Sequence, residues 1–176
     1  FDEEVAGLNE SRLRLHQASS VDGPWTPIPG QTRDNARNVI RANVTSLAFL
    51  AVGIDEVPPT VTIGPPSVGV TETGPVSYVV TYTGAVAITL APEDVQLTRT
   101  GTADAANIVV SGTGTAQREI ILSGITGEGT LAISIDAGTA SDDSGNVAPA
   151  AGPSAPFTVT QETNPLRGDV NLDGQV

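Results

Sequence analysis

The sequence predicts an all-β protein, an antiparallel β-sandwich preceded by a partial β-sandwich, and three observations carry that prediction. Valine outnumbers leucine 20 to 11 and threonine is abundant, which is strand composition and not helix composition. Short apolar runs alternate with period two: Val76, Tyr78, Val80 and Tyr82 fall on one face, and Ser77, Val79, Thr81 and Thr83 on the other, the pattern of a strand with one buried side. Clusters of Gly, Pro, Asp and Ser interrupt these runs roughly every 8 to 12 residues, the turn spacing of sandwich domains. Val, Leu, Ile and Phe make up about a quarter of the 176 residues. That is enough for a sizeable core and more than disordered chains contain, in a chain long enough for one or two domains.

The elements follow in chain order. Residues 1–55 hold four candidate strands, at 12–16, 25–28, 38–44 and 47–54, with Val21-Asp22-Gly23-Pro24 supplying the turn between the first two. Four strands with a single tryptophan make a module that is marginal by itself without disulfides or metal. This segment therefore reads as the C-terminal part of a β-sandwich whose first strands precede Phe1. Two other readings stay open: it packs directly on the next module, or a neighbouring subunit donates the missing strand. Asp55, Glu56, Val57, Pro58 and Pro59 form a linker, because two acids followed by two prolines cannot continue a central strand. Residues 56–162 carry nine runs, at 60–63, 67–71, 76–83, 86–90, 95–98, 107–110, 118–122, 130–135 and 157–160, enough for two packed antiparallel sheets. Residues 163–176 lose strand periodicity and read as a second linker running into a third module.

Charge and composition exclude several function classes. Twenty acids face eight arginines and no lysine, for a net charge of -12, and such a surface repels phosphate backbones and anionic lipid. Nucleic acid is excluded as a partner. The absence of cysteine and methionine and the single histidine exclude disulfide scaffolds, thiol catalysis and nearly every zinc site. The longest apolar run, residues 47–54, is far short of the ~20 residues that span a bilayer, so no membrane insertion is expected. The chain begins without an initiator methionine or signal peptide and stops inside a motif, and it reads as the middle of a longer polypeptide. A chain without lysine or cysteine suits the extracellular space or cell surface.

Four stretches carry a family resemblance: Pro59-Thr-Val-Thr-Ile-Gly64, Gly74-Pro-Val-Ser-Tyr-Val-Val-Thr-Tyr-Thr83, Ile125-Thr-Gly-Glu-Gly-Thr-Leu-Ala-Ile-Ser-Ile135 and Ala137-Gly-Thr-Ala-Ser-Asp-Asp-Ser-Gly-Asn146. In that order they resemble a bacterial immunoglobulin-like repeat of large secreted or cell-surface proteins. The resemblance covers about 100 residues and implies an immunoglobulin-like sandwich, although the Cys-Trp-Cys signature of antibody domains is missing. It implies a spacer, stalk or adhesion module and no catalysis.

The tail, Gly168-Asp-Val-Asn-Leu-Asp-Gly-Gln-Val176, has the spacing of half a calcium loop. Asp169, Asn171 and Asp173 stand at positions 1, 3 and 5, Gly174 at the sharp turn, and Gln175 offers a backbone carbonyl at position 7. It resembles the opening of a type I dockerin repeat, which implies calcium as cofactor and a cohesin-like partner. Loop positions 9 and 12 lie past Val176, so weak binding is expected. Geometry offers a second candidate calcium site. In an immunoglobulin-like sandwich the loop before the last strand lies beside the start of the first strand, which brings Asp142, Asp143 and Asn146 toward Asp55 and Glu56. A cation would neutralise the converging carboxylates and stiffen the joint; the competing reading is that Asp-Asp-Ser-Gly-Asn is a solvated turn.

Catalytic constellations are weak. A Ser-His-Asp arrangement would have to use His16, which reads as an outward-facing strand residue, and no nucleophile elbow surrounds any serine. Pairs drawn from Glu3, Glu4, Glu93, Asp94, Asp142 and Asp143 read as solvent-facing charge, and six aromatics are too few for sugar platforms. Trp25 reads as core or hairpin packing. Sequons at Asn9-Glu-Ser and Asn43-Val-Thr carry little weight in a bacterial-looking chain. The expected function is a non-catalytic structural or adhesive segment of a cell-surface protein, whose partners are neighbouring domains or copies of itself. The alternatives are an accessory region of a secreted dockerin-bearing hydrolase, and a filament subunit completed by strand donation.

Overall fold

The computed structural model describes residues 12–34, 36–37, 39–46 and 49–161. It is all-β, with no α-helix among the described residues and a short 3-10 turn at Pro92–Asp94. The first module contains β1 (Leu13–Ala18), β2 (Thr26–Pro27), β3 (Thr32–Asp34), β4 (Val39–Arg41) and β5 (Phe49–Ile54). Strands β2, β1 and β5 form an antiparallel sheet in that order, and β3 and β4 form a separate hairpin. The sequence predicted one strand over 38–44. The chain instead folds back on 32–34, in a turn closed by the Arg37 amide donating to the Asp34 carbonyl (3.1 Å) and by an Arg37–Asp34 ion pair of 2.7 Å.

The second module contains β6 (Thr60–Pro66), β7 (Val70–Thr71), β8 (Val76–Thr83), β9 (Ala87–Ile88), β10 (Val95–Arg99), β11 (Asp104–Ser111), β12 (Gln117–Thr126), β13 (Gly129–Ile135), β14 (Ala140–Ser141) and β15 (Phe157–Val159). One four-stranded sheet has the order β11-β12-β8-β6 and the other β10-β13-β15-β7. Within the second, the edge strand β7 runs parallel to β15, and the other pairings are antiparallel. A small ladder of β9 and β14 lies beside them.

The core lies between these two sheets. Strand β8 alternates as its sequence requires: Val76, Tyr78 and Val80 are fully buried and Tyr82 nearly so. Together with Ile120 and Leu122 of β12 they form one cluster with Leu131, Ile133 and Ile135 of β13 and Phe157 and Val159 of β15. The Tyr78 and Phe157 rings meet across the core at 6.4 Å and 48°, and each fully buried side chain of this kind contributes about 1.5–3 kcal/mol.

Strands β12 and β6 outrun their predicted lengths for identifiable reasons. The pattern predicted β12 to stop at Leu122, where the even-numbered alternation ends. The strand continues because Gly124, at φ 65°, shifts the phase so that Ile125 points into the core. Strand β6 extends through Pro65 and Pro66, which a sheet accepts at an edge. Its register with β8 shifts between Ile63 and Pro66, so this edge is irregular and poor in donors.

Of the two readings of Trp25, core or hairpin packing, the second holds: it is 39 % exposed, and its ring lies over the β1–β2 turn at Gly23, where an added Cβ would stand 3.1 Å from Trp25 Cδ1. Among the described residues of the first module the buried apolar ones are Ala18 and Ile28. The expectation for His16 is corrected: it is half-buried and not outward-facing. Its ring lies against Gly53, where an added Cβ would come within 2.8 Å of the imidazole, and its Nδ1 is 3.3 Å from the Arg14 carbonyl.

Tyr82 Oη and Thr139 Oγ1 share a buried hydrogen bond of 3.0 Å, and Tyr78 Oη donates to the Ala155 carbonyl at 3.2 Å. Burial raises the pKa of both tyrosines above the ordinary value. A raised folded-state pKa gives stability that is complete below the unfolded tyrosine pKa of about 10 and is lost as pH rises through the folded value. Urea unfolding of the chain should therefore show an alkaline loss beginning near pH 10, and Tyr82→Phe should diminish it. A loss unchanged in both Tyr78→Phe and Tyr82→Phe would mean that other groups cause it.

Candidate functional site

The described residues bring charged side chains together at one place, between the end of β5 and the loop that follows β14. Strand β1 starts the arrangement. Arg12 and Arg14 are two residues apart and so project to the same side of the extended chain. The Asp55 amide donates to the Arg12 carbonyl at 2.8 Å, which continues the β1–β5 pairing past Ile54 and sets Asp55 beside both arginines.

The opposing surface is the loop 142–146, which is shaped by its own side chains. The Asp142 carboxylate accepts the amides of Ser144 and Asn146, each at 2.8 Å, and Asn146 Nδ2 at 2.9 Å. Such carboxylate-to-backbone bonds make a rigid Asx-type turn. Ser144 is completely buried and Asn146 almost so, which is unusual for polar residues in a loop.

Arg14 lies at the centre of the network. It is only 4 % exposed. Its Nε is 3.6 Å from Asp55 Oδ2, its Nη1 donates to the Leu13 carbonyl at 3.1 Å, and its Nη2 donates to Asp143 Oδ1 and Ser144 Oγ. Ser144 Oγ in turn donates to Asp55 Oδ2 at 2.9 Å. Arg12 Nη2 donates to Asn146 Oδ1 at 2.7 Å, and Asn146 Nδ2 donates to the Asp55 carbonyl at 3.0 Å. From the β3–β4 hairpin, Arg33 reaches the carbonyls of Leu13 and Asp143, at 3.2 and 2.8 Å. Its pKa is lowered, first by burial and then by the nearby Arg14 charge, against the opposing pull of Asp143, Asp142 and Asp55.

Three guanidinium groups thus face three carboxylates. Among the described residues no buried side-chain nitrogen or oxygen lacks a hydrogen-bond partner. The expected residues separate cleanly: Asp55, Asp142, Asp143 and Asn146 are in the network, whereas Glu56 is exposed and outside it. Asp169, Asn171, Asp173 and Gln175 lie outside the described residues. The sequence reading missed Arg12, Arg14, Arg33 and Ser144. A signal was available, since five of the eight arginines stand before residue 42, directly ahead of the most acidic part of the chain.

Calcium was one of two readings of the joint, and the donor set does not fit that ion. Calcium takes six to eight oxygen ligands. Here the carboxylate oxygens of Asp142 already accept three N–H donors, and a guanidinium stands between Asp55 and Asp143. Among the described residues no three His, Cys, Asp or Glu side chains are grouped to hold a metal ion, and no helix is long and apolar enough to cross a membrane. His16 has no hydrogen bond among the described residues beyond that to the Arg14 carbonyl. Comparison of the chain with protein-family models, with curated proteins and with solved structures returned no match.

Removing one member of a buried ion pair leaves the other desolvated and unpaired, at a cost of about 3–5 kcal/mol. The Asp143 side chain is 60 % exposed and that of Asp55 18 %, so Arg14→Met should fall at the lower end, about 3 kcal/mol. Arg14→Lys should recover little of it, because a point charge cannot reproduce the fork. Urea titration followed by Trp25 fluorescence reads this from within the first module, and Glu56→Gln serves as the unchanged control. Equal midpoints for Arg14→Met and the parent chain would show that the network contributes nothing.

Proposed function

We propose that this chain is a non-catalytic structural or adhesive segment of an extracellular, cell-surface protein, which holds neighbouring modules at a fixed distance and orientation. The observation that carries the reading is the joint. Two β modules connected by a short acidic, proline-bearing linker are fastened by nearly buried polar groups, where a flexible tether would leave those groups in water. The strand order supports an immunoglobulin-like identity for the second module. In the usual lettering, β11-β12-β8-β6 reads D-E-B-A and β10-β13-β15 reads C-F-G, the two sheets of a constant-type domain. The surroundings of His16 favour a role without catalysis. The tail remains a proposed calcium loop with a cohesin-like partner.

The test is replacement in the complete reading frame. Exchanging residues 12–161 for an unrelated rigid module of similar length should preserve surface display and the activity of the flanking parts, whereas a flexible linker of equal residue number should not. If the flexible linker serves equally well, the spacer reading fails.

A second reading, self-assembly through an open sheet edge, is favoured by β5. Among the described residues β5 pairs only with β1, and its Leu50, Val52 and Ile54 share one face at 54, 60 and 40 % exposure. It carries no charge, proline or register shift, the devices that protect an edge. The occupant that fits is a second copy. An antiparallel pairing about a two-fold axis sets Val52 opposite Val52 and Leu50 opposite Ile54, so apolar side chains meet across the whole strand. Light scattering over a concentration series should show the mass rising in the parent chain and remaining monomeric in Val52→Lys. A parent chain that is monomeric throughout would exclude this assembly.

A further inference from the structure

We infer that Arg14 is the built-in cation of the joint, so that the relative orientation of the two modules is independent of divalent ions. The inference deepens the spacer reading and rests on it only for its biological use. Converging carboxylates at a junction between β modules need positive charge. A dissociable ion makes such a junction rigid only above a threshold concentration. A guanidinium tethered to β1 supplies the charge at fixed stoichiometry and cannot dissociate.

The geometry matches this role. Arg14 reaches Asp55 at the end of the first module and Asp143 on the second, and through Ser144 Oγ it closes a ring back to Asp55. Its planar fork directs donors to both modules and to the Leu13 carbonyl of its own strand at once. Arg12 and Arg33 complete the enclosure, Arg12 on Asn146 Oδ1 and the Asp55 carbonyl, Arg33 on the Asp143 carbonyl. Donors already occupy both oxygens of Asp142, Oδ2 of Asp55 and Oδ1 of Asp143, so an incoming calcium ion would have to displace them.

The experiment measures the inter-module distance in the full chain. The protein contains no cysteine, so Val21→Cys in the first module and Thr98→Cys in the second, both at exposed positions, give two unique spin-label sites. Pulsed dipolar spectroscopy should give one narrow distance peak, identical in millimolar calcium and in chelator. Introducing Arg14→Met should abolish that peak in both conditions, while Trp25 fluorescence and circular dichroism report that the modules remain folded. A parent peak that broadens in chelator overturns the inference, and so does an Arg14→Met chain that retains the parent peak. The calcium comparison uses the unmodified joint and stays decisive if the variant folds poorly. Because these distances are intramolecular, the inference and the spacer reading fail separately: a rigid calcium-independent joint in a segment that a flexible linker can replace would sink only the latter.

Discussion

The guanidinium of Arg14 is held almost entirely out of water, and much of the molecule's architecture follows from the need to compensate it there. Desolvating an ion costs several kcal/mol, and attraction to partners offsets that cost only when the hydrogen-bond geometry is nearly complete. Completeness requires donors and acceptors from three separate places: β1, the end of β5, and the loop after β14. Each place is fixed by ordinary strand pairing, so the charge network inherits its precision from the sheets. The dependence also runs the other way. The first module has few fully buried apolar side chains among its described residues, Ala18 and Ile28, and β1 gains a polar anchor on the second module that its own core does not supply.

The Asx-type turn at Asp142 is the second module's contribution. Asp142 makes no ion pair with the arginines among the described residues and spends its carboxylate on the backbone of Ser144 and Asn146. It therefore acts as a template, and Asp143, Ser144 and Asn146 meet the incoming strand. The small β9–β14 ladder and the isolated bridge between Ser141 and Val147 hold the base of the loop. Without that base the turn would be a mobile tip, and a buried serine hydroxyl would have no fixed partner.

Much of the fold was legible because its signals are local. The alternation of Val76, Tyr78, Val80 and Tyr82 gave β8 its bounds without error, since one buried face and one wet face leave a period-two trace. Strands β6 and β12 ran longer than their patterns because edge tolerance for proline and a left-handed glycine are properties of the sheet and not of the local alternation. The paired strands β3 and β14 went unseen because three- and two-residue runs carry no period at all. The joint was half legible. Topology alone placed the loop before the last strand near Asp55, which brought the carboxylates into view, but composition gave no partner for them. The arginines that complete the site belong to the other module, and strand alternation at Arg12 and Arg14 looks the same whether a side chain faces solvent or a neighbour.

The distribution of charge connects the joint to the exterior. Arg12, Arg14 and Arg33 balance Asp55, Asp142 and Asp143, so the network adds nothing to the net charge of -12. The acidity that remains therefore lies outside the joint, on residues such as Glu72, Glu93, Asp94, Glu119, Glu128 and Asp136. Like charge of that kind keeps copies apart along the sandwich. It does not guard β5, which carries no charge of its own. The chain thus uses three of its eight arginines to fasten one internal contact. The joint and the exterior divide the arginines between them: Arg12, Arg14 and Arg33 serve the contact between the modules, and Arg37 and Arg99 pair with Asp34 and Asp104 elsewhere.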